Sequence, residues 1–147
     1  MYKRILVATD GSSLSRKAVD SAISLAQACG AELLALRVVP RNPMTLWDGG
    51  VTLGPDDVAK IEAKWMKDGQ ATVDAVKAAA EIEGLKARAL VVKSNLIAES
   101  ILATAKKHKA DLVVMASHGR KGIKRLVLGS ETHNVLTHAD LPVLVLR

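Results

Sequence analysis

The feature that most constrains the fold is an alternation along the chain. Five short, nearly continuous apolar runs are separated by longer segments whose apolar residues recur at helical spacing. The runs are "KRILVATDG" (3–11), "AELLALRVVP" (31–40), "LKARALVVK" (85–93), "ADLVVMAS" (110–117) and "LPVLVLR" (141–147). Runs of this length, apolar at successive positions, suit strands buried on both faces. Between them, Leu14, Ala18, Ala22, Leu25 and Ala26 repeat on one helical face, with Ser12 or Ser13 to cap the segment and Gly30 to end it. From Pro55 to Glu83 the pattern is again helical, with Pro55 at a first-turn position, an apolar face from Val58 to Ala80 and Gly84 as the stop. Gly69 weakens the middle of that segment and reads as a bend. Helices are also expected over 95–109 and 130–139. The order β-α-β-α-β-α-β-α-β predicts an α/β fold: a doubly wound parallel sheet of five strands with helices on both faces.

Length and composition agree. A chain of 147 residues is the size of one domain, 1–147, with a single sizeable core. Its apolar residues are mainly Ala, Leu and Val, and Phe is absent, which suits helices packed on a parallel sheet. Cys29 stands alone, so no internal disulfide framework is expected and a reducing compartment is. No secretory signal is visible at the start, and no apolar stretch approaches the roughly 20 residues that span a bilayer. The reading is a soluble, cytoplasmic protein without a membrane partner. A net charge of +6 permits attraction to polyanions. With two Trp, one Tyr and no Phe, base stacking has little to work with, and specific nucleic-acid binding is not expected.

Doubly wound sheets bind ligands beyond the carboxyl ends of their strands, where strand order reverses. That rule selects Asp10, then Val38 to Pro40, then Ala116 to Gly119. The loop from Arg41 to Gly54, with Pro43, Trp47 and Gly49-Gly50, is long enough to be functional, Trp47 being read as an anchor on the core. Several signatures are missing. There is no G-x-x-x-x-G-K-[ST] and no G-x-G-x-x-G. No cysteine pair or His-x-x-x-His suggests zinc, and His133 and His138 lie on different helical faces. What remains is "ASHGRKGIKRLVLGSETH". Gly119 and Gly122 admit close backbone approach, Arg120 and Lys121 bring positive charge, and Gly129-Ser130 opens a helix whose first N–H groups favour an anion. Lys124 and Arg125 read as surface charge. The same residues also fit an ordinary glycine-led helix start, and taken alone they leave both readings open.

The whole chain resembles the universal stress protein family. "ILVATDGSS", "ADLVVMASHGR" and "HADLPVLVLR" carry the likeness, together with the motif G-2x-G-9x-G-[ST] of the family's ATP-binding members. That motif aligns to Ala116-Ser117-His118-Gly119, nine residues, then Gly129-Ser130; the spacing is kept and the first glycine is replaced by Ala116. The resemblance implies a Rossmann-like sheet in strand order 3-2-1-4-5 and an ATP site with a Mg²⁺ ion. Ala8 and Val38 would border the adenine, and Asp10 would lie near ribose and phosphates as the metal contact. Ala116, Ser117, His118, Gly119, Arg120 and Lys121 would wrap the phosphates, with Gly129, Ser130, Glu131 and Thr132 completing the cradle. Alanine at 116 disfavours positive φ and adds a methyl to the site. The Glu131 carboxylate has to point away from the phosphates or contact a metal.

The expected function is a nucleotide-dependent regulatory module of the stress response with unknown protein partners and at most slow hydrolysis, since no residue stands out as a general base. A ligand-free dimeric interaction protein is the alternative. A nucleotidyl-transfer enzyme is disfavoured, because "ATDGSS" and "ASHGRK" match neither an H-x-G-H turn nor an S-G-G-x-D-S loop. The apolar last run would lie at a sheet edge, and such an edge invites pairing. The resemblance implies a homodimer through 142–147.

Overall fold

The computed structural model describes residues 1–41, 54–118 and 128–147. The element order is β1 (Arg4–Ala8), α1 (Ser13–Cys29), β2 (Glu32–Val39), α2 (Pro55–Ile82), β3 (Ala87–Lys93), α3 (Ile97–Lys107), β4 (Leu112–Ala116), α4 (Ser130–His138) and β5 (Val143–Leu146). All four strand pairings are parallel, and the sheet order is β3-β2-β1-β4-β5. This is the doubly wound order expected from the sequence. Trp47 and the rest of 42–53 lie outside the described residues, as do Gly119, Arg120, Lys121, Gly122, Lys124 and Arg125.

Near-continuous apolar strands are needed because each central strand buries both faces. On one face Ile5, Val7, Leu33, Ala35, Leu112 and Val114 meet Ala18, Ala22 and Ala26 of α1 and Val73, Val76 and Ala80 of α2. On the other, Leu6, Leu34, Leu36, Val38, Val113 and Met115 meet Ala98, Ile101 and Ala105 of α3 and Val135 of α4. Successive side chains along a strand therefore serve different cores. The division of helices follows from chirality. The chain steps outward from β1 to β3 with α1 and α2 on one face. It then crosses back to β4 and continues to β5, and right-handed crossovers put α3 and α4 on the opposite face.

The local signals act as their chemistry requires. Ser12 caps α1, its Oγ accepting from the Ser15 amide at 3.2 Å. Gly30 ends α1 at φ 68°, in the left-handed region that glycine enters without cost. α3 begins two residues later than its pattern suggests. Asn95 accepts from the Arg41 amide at 2.9 Å, and Ser94 Oγ accepts from the Leu96 amide at 3.0 Å. Those bonds hold the preceding residues in a turn.

Gly69 has a role other than the expected bend. α2 runs through it unbroken, and a Cβ there would come within 2.7 Å of Val39 Cγ1 on β2 and 3.2 Å of Arg37 Cγ. Glycine lets α2 approach the sheet closely.

Candidate functional site

The strand order reverses between β1 and β4, and their carboxyl ends open a cleft of about 140 Å³ on the α3/α4 side of the sheet. Small residues form its floor: Ala8 ends β1 and Ala116 ends β4. Leu36 and Val38 of β2, Met115 of β4, and Ile97 and Ile101 of α3 supply apolar walls. Asp10, His118, Glu131 and Thr132 bring polar groups to the same space. The result is an apolar slot with its charged groups contributed by loops and by the α4 N-terminus. Few polar groups around an apolar body is the usual composition of a small-molecule site, although about 300–1,000 Å³ is the commoner size.

The loop after β1 is internally braced. Asp10 Oδ1 accepts from the Ser12 amide at 2.9 Å, and Gly11 takes φ 79° to make that turn. Thr9 and Ser15 are buried beneath it with their hydroxyl oxygens 3.0 Å apart. Ser15 Oγ already donates to Ser12 O at 2.9 Å, so the Thr9 hydroxyl is the donor of the pair. Thr9 Oγ1 in turn accepts from the Gly11 amide at 3.2 Å. This chain of bonds sets where Asp10 stands, at the carboxyl end of β1.

The turn after β4 and the start of α4 are joined tightly. Ser117 donates its amide to Leu146 O at 2.7 Å and accepts from the Gly129 amide at 2.8 Å through its carbonyl. Its hydroxyl lies 3.2 Å from His118 Nδ1. Gly129 packs so closely that a Cβ would lie 3.1 Å from His118 Cα and 3.3 Å from Ser117 O. Gly129 is also the N-cap residue of α4 and supplies no side-chain cap. The first-turn N–H groups of a helix lack intrahelical partners and carry the positive end of its dipole. Ser130, the first residue of α4, is exposed there.

Thr132 and Glu131 are engaged within the protein. The buried Thr132 hydroxyl donates to Ala116 O at 2.8 Å, pinning α4 to the end of β4. Glu131 Oε2 accepts from the Ala98 amide at 3.0 Å. Its carboxylate therefore turns toward α3, one of the two orientations its charge allowed. Ala116 is likewise easily accommodated. It ends β4 in register with Leu146, and among the described residues Lys109 is the one non-glycine at positive φ. Alanine at 116 thus carries no backbone strain, and its effect is confined to one methyl at the cleft.

Of the expected site residues, Ala8, Asp10, Val38, Ala116, His118, Glu131 and Thr132 line one cleft. Ser117, Gly129 and Ser130 build the adjoining turn and helix start without lining it. Gly119, Arg120 and Lys121 lie outside the described residues. Sequence reasoning missed Ile97 and Ile101, which belong to the apolar face of α3 and gave no sign of facing a site rather than the core. It also missed Thr9 and Ser15, small polar residues that only the fold brings together.

The Universal stress protein family profile matches residues 1–147. The chain is 34% identical over 148 residues to universal stress protein MJ0531 of Methanocaldococcus jannaschii, covering all of this chain and 83% of that one. Its structure superposes on that of MJ0577 from the same organism with a TM-score of 0.84 at 25% identity, covering 99% and 96% of the two chains. It shares its fold with a universal stress protein of Archaeoglobus fulgidus determined in complex with dAMP, with a TM-score of 0.67 at 22% identity and coverage of 99% and 98%.

Proposed function

The chain belongs to the universal stress protein family, and from that premise we propose that it is a nucleotide-dependent regulatory module that binds ATP, with a divalent ion, at the cleft between β1 and β4. The observation that carries the reading is the cleft itself. An apolar slot floored by Ala8 and Ala116 adjoins both an acidic loop residue, Asp10, and the N-terminus of α4. A flat base fits between Val38, Ile97, Ile101 and Met115. The sugar and phosphates then extend toward Asp10 and the first turn of α4, where free N–H groups favour an anion. Adenine-nucleotide binding by a protein of the same fold, the dAMP complex from Archaeoglobus fulgidus, supports the choice of ligand class.

The donor set suits the ion as well as the nucleotide. Among the described residues no group of three or more His, Cys, Asp or Glu side chains forms a self-sufficient metal site. Mg²⁺ is commonly held by one or two carboxylates together with substrate phosphates. Asp10 supplies such a carboxylate, and a bound ion would offset phosphate charge there. The chain's own part is to hold the base, orient the phosphates against α4 and fix Asp10 through the Thr9–Ser15 brace. On this reading the module's task is binding, and any hydrolysis is slow.

A homodimer belongs to the same proposal. β5 is an edge strand paired on one side with β4, and Leu144 on it is 38% exposed. An apolar edge of this kind is covered by antiparallel pairing with a second copy over 142–147. No described helix is long and apolar enough to cross a membrane, and a cytoplasmic site of action fits the single unpaired Cys29.

One observation favours a second reading, a ligand-free interaction module of the same fold: Glu131 and Thr132 already have partners within the protein. Heating purified protein and assaying the supernatant for adenine nucleotide separates the two. ATP release, and saturable binding of ATP and Mg²⁺ by stripped protein, is the expected result. No bound nucleotide and no binding at millimolar ATP leaves the ligand-free reading.

A further inference from the structure

We infer that Glu131 is a positioning residue that sets the width of the base slot by docking the N-terminus of α3 onto α4; the inference rests on the ligand-binding reading of the cleft. α3 opens without a capping side chain of its own, because Leu96 occupies its N-cap position. Leu96 is an apolar residue, 59% exposed, with nothing to offer the first amides. The missing acceptor comes from a different helix. Glu131 lies in the first turn of α4, and its Oε2 accepts from the Ala98 amide, 33 residues away in sequence, at 3.0 Å.

This bond flanks the cleft wall directly. Ala98 follows Ile97 and precedes Ile101 by less than a turn, and both isoleucines line the slot. Glu131 lines the slot too, and it also lines the groove on the outer side of the α3–α4 pair, beside Leu96, Ala98 and Asn134. It therefore forms the strut between the two helices at that end. Its neighbour Thr132 fastens the same turn of α4 to Ala116 O on β4. Two consecutive residues thus hold one helical turn to the floor of the slot on one side and to its wall on the other. A carboxylate in this place serves two helix N-termini, accepting from one and sitting in the first turn of the other, and each is the favourable end for negative charge. The strut needs an acceptor oxygen at that position, which glutamine also provides.

The test uses Glu131→Ala and Glu131→Gln in the full chain, with two independent readouts. The first is hydrogen exchange of the Ala98 amide in ligand-free protein. Loss of a helix-capping acceptor should speed it by about tenfold in Glu131→Ala, with Glu131→Gln close to wild type. The second is adenosine affinity measured by calorimetry, corrected for folded fraction. Adenosine carries no phosphate, so its affinity responds to the slot rather than to charge at the cradle. It should fall severalfold in Glu131→Ala and be rescued in Glu131→Gln. Equal Ala98 exchange in wild type and Glu131→Ala overturns the strut. Altered exchange with unchanged adenosine affinity overturns the positioning role and leaves a cap with a structural part only. A wild-type protein that binds neither adenosine nor ATP overturns the ligand reading instead, and the exchange data then report on the cap alone.

Discussion

Gly129 provides a way to separate packing from ligand contact at the α4 N-terminus. Its φ of −59° and ψ of 152° are open to any residue, so Gly129→Ala introduces no backbone strain. The cost is steric and local. The new methyl would sit 3.1 Å from His118 Cα and 3.3 Å from both His118 Cβ and Ser117 O. Two of those three atoms are backbone, fixed by the Gly129 N to Ser117 O bond at 2.8 Å, so the neighbours yield poorly. Overpacking costs about 1–3 kcal/mol, and one methyl a few tenths of an ångström too close belongs at the low end. Alanine is also a poorer N-cap than glycine, whereas its lower unfolded-state entropy returns about 0.4–1 kcal/mol. The net expectation is a loss of about 1 kcal/mol, which for a chain of this size lowers Tm by roughly 2–4 °C. Ser130→Ala is the control: the residue is exposed at the first helical position, and stability should stay within about 0.5 kcal/mol. If Ser130 holds a phosphate oxygen, that variant weakens ATP binding by about tenfold, the loss of one hydrogen bond to a charged group. Thermal melts and ATP titrations of both variants decide the matter. An unchanged or raised Tm for Gly129→Ala would refute the close-packing argument.

Other substitutions test the remaining supports. Gly69→Ala should lower stability by about 1 kcal/mol despite alanine's higher helix propensity, because its Cβ meets the stiff Val39 side chain at 2.7 Å; urea unfolding checks the sign. Thr132→Val leaves Ala116 O without its 2.8 Å donor and should cost about 1–3 kcal/mol, read by the same unfolding curves. Ala116→Gly removes one of the two alanine methyls at the cleft floor and loosens the end of β4, so it should lower stability by about 0.5–1 kcal/mol while ATP affinity changes less than threefold. A gain of tenfold or more in affinity would show that the methyl, and not the surrounding cleft, governs access.

Much of this architecture was legible because the parallel sheet imposes a simple rule on its strands. A run such as "RILVA" must be apolar at consecutive positions when Ile5 and Val7 face α1 while Leu6 faces α3 and α4. Ser12, Gly30 and Gly84 marked helix boundaries for local reasons, capping or positive φ, that a short window reveals. The location of the cleft followed from topology, since strand reversal places Ala8, Asp10, Val38 and Ala116 at neighbouring strand ends. Interactions between distant segments were hidden. The close approach at Gly69 depends on where α2 crosses β2, and the same glycine in an isolated pattern reads as a weak point. Glu131 looked like unwelcome charge beside a phosphate until its Ala98 partner on another helix was seen. Ile97 and Ile101 are indistinguishable by pattern from core residues, and only the width of the slot makes them walls of a site.

The most direct test of ligand binding at this cleft is a titration of stripped, isotope-labelled protein with ATP and Mg²⁺, followed by amide chemical shifts. Saturable shifts concentrated at Ala8, Val38, Ala116 and Thr132, with little change at the opposite end of the sheet around Lys3, Lys86 and Lys109, are the predicted result. No shifts at millimolar ATP, or shifts centred on the lysines at the amino ends of the strands, would contradict it.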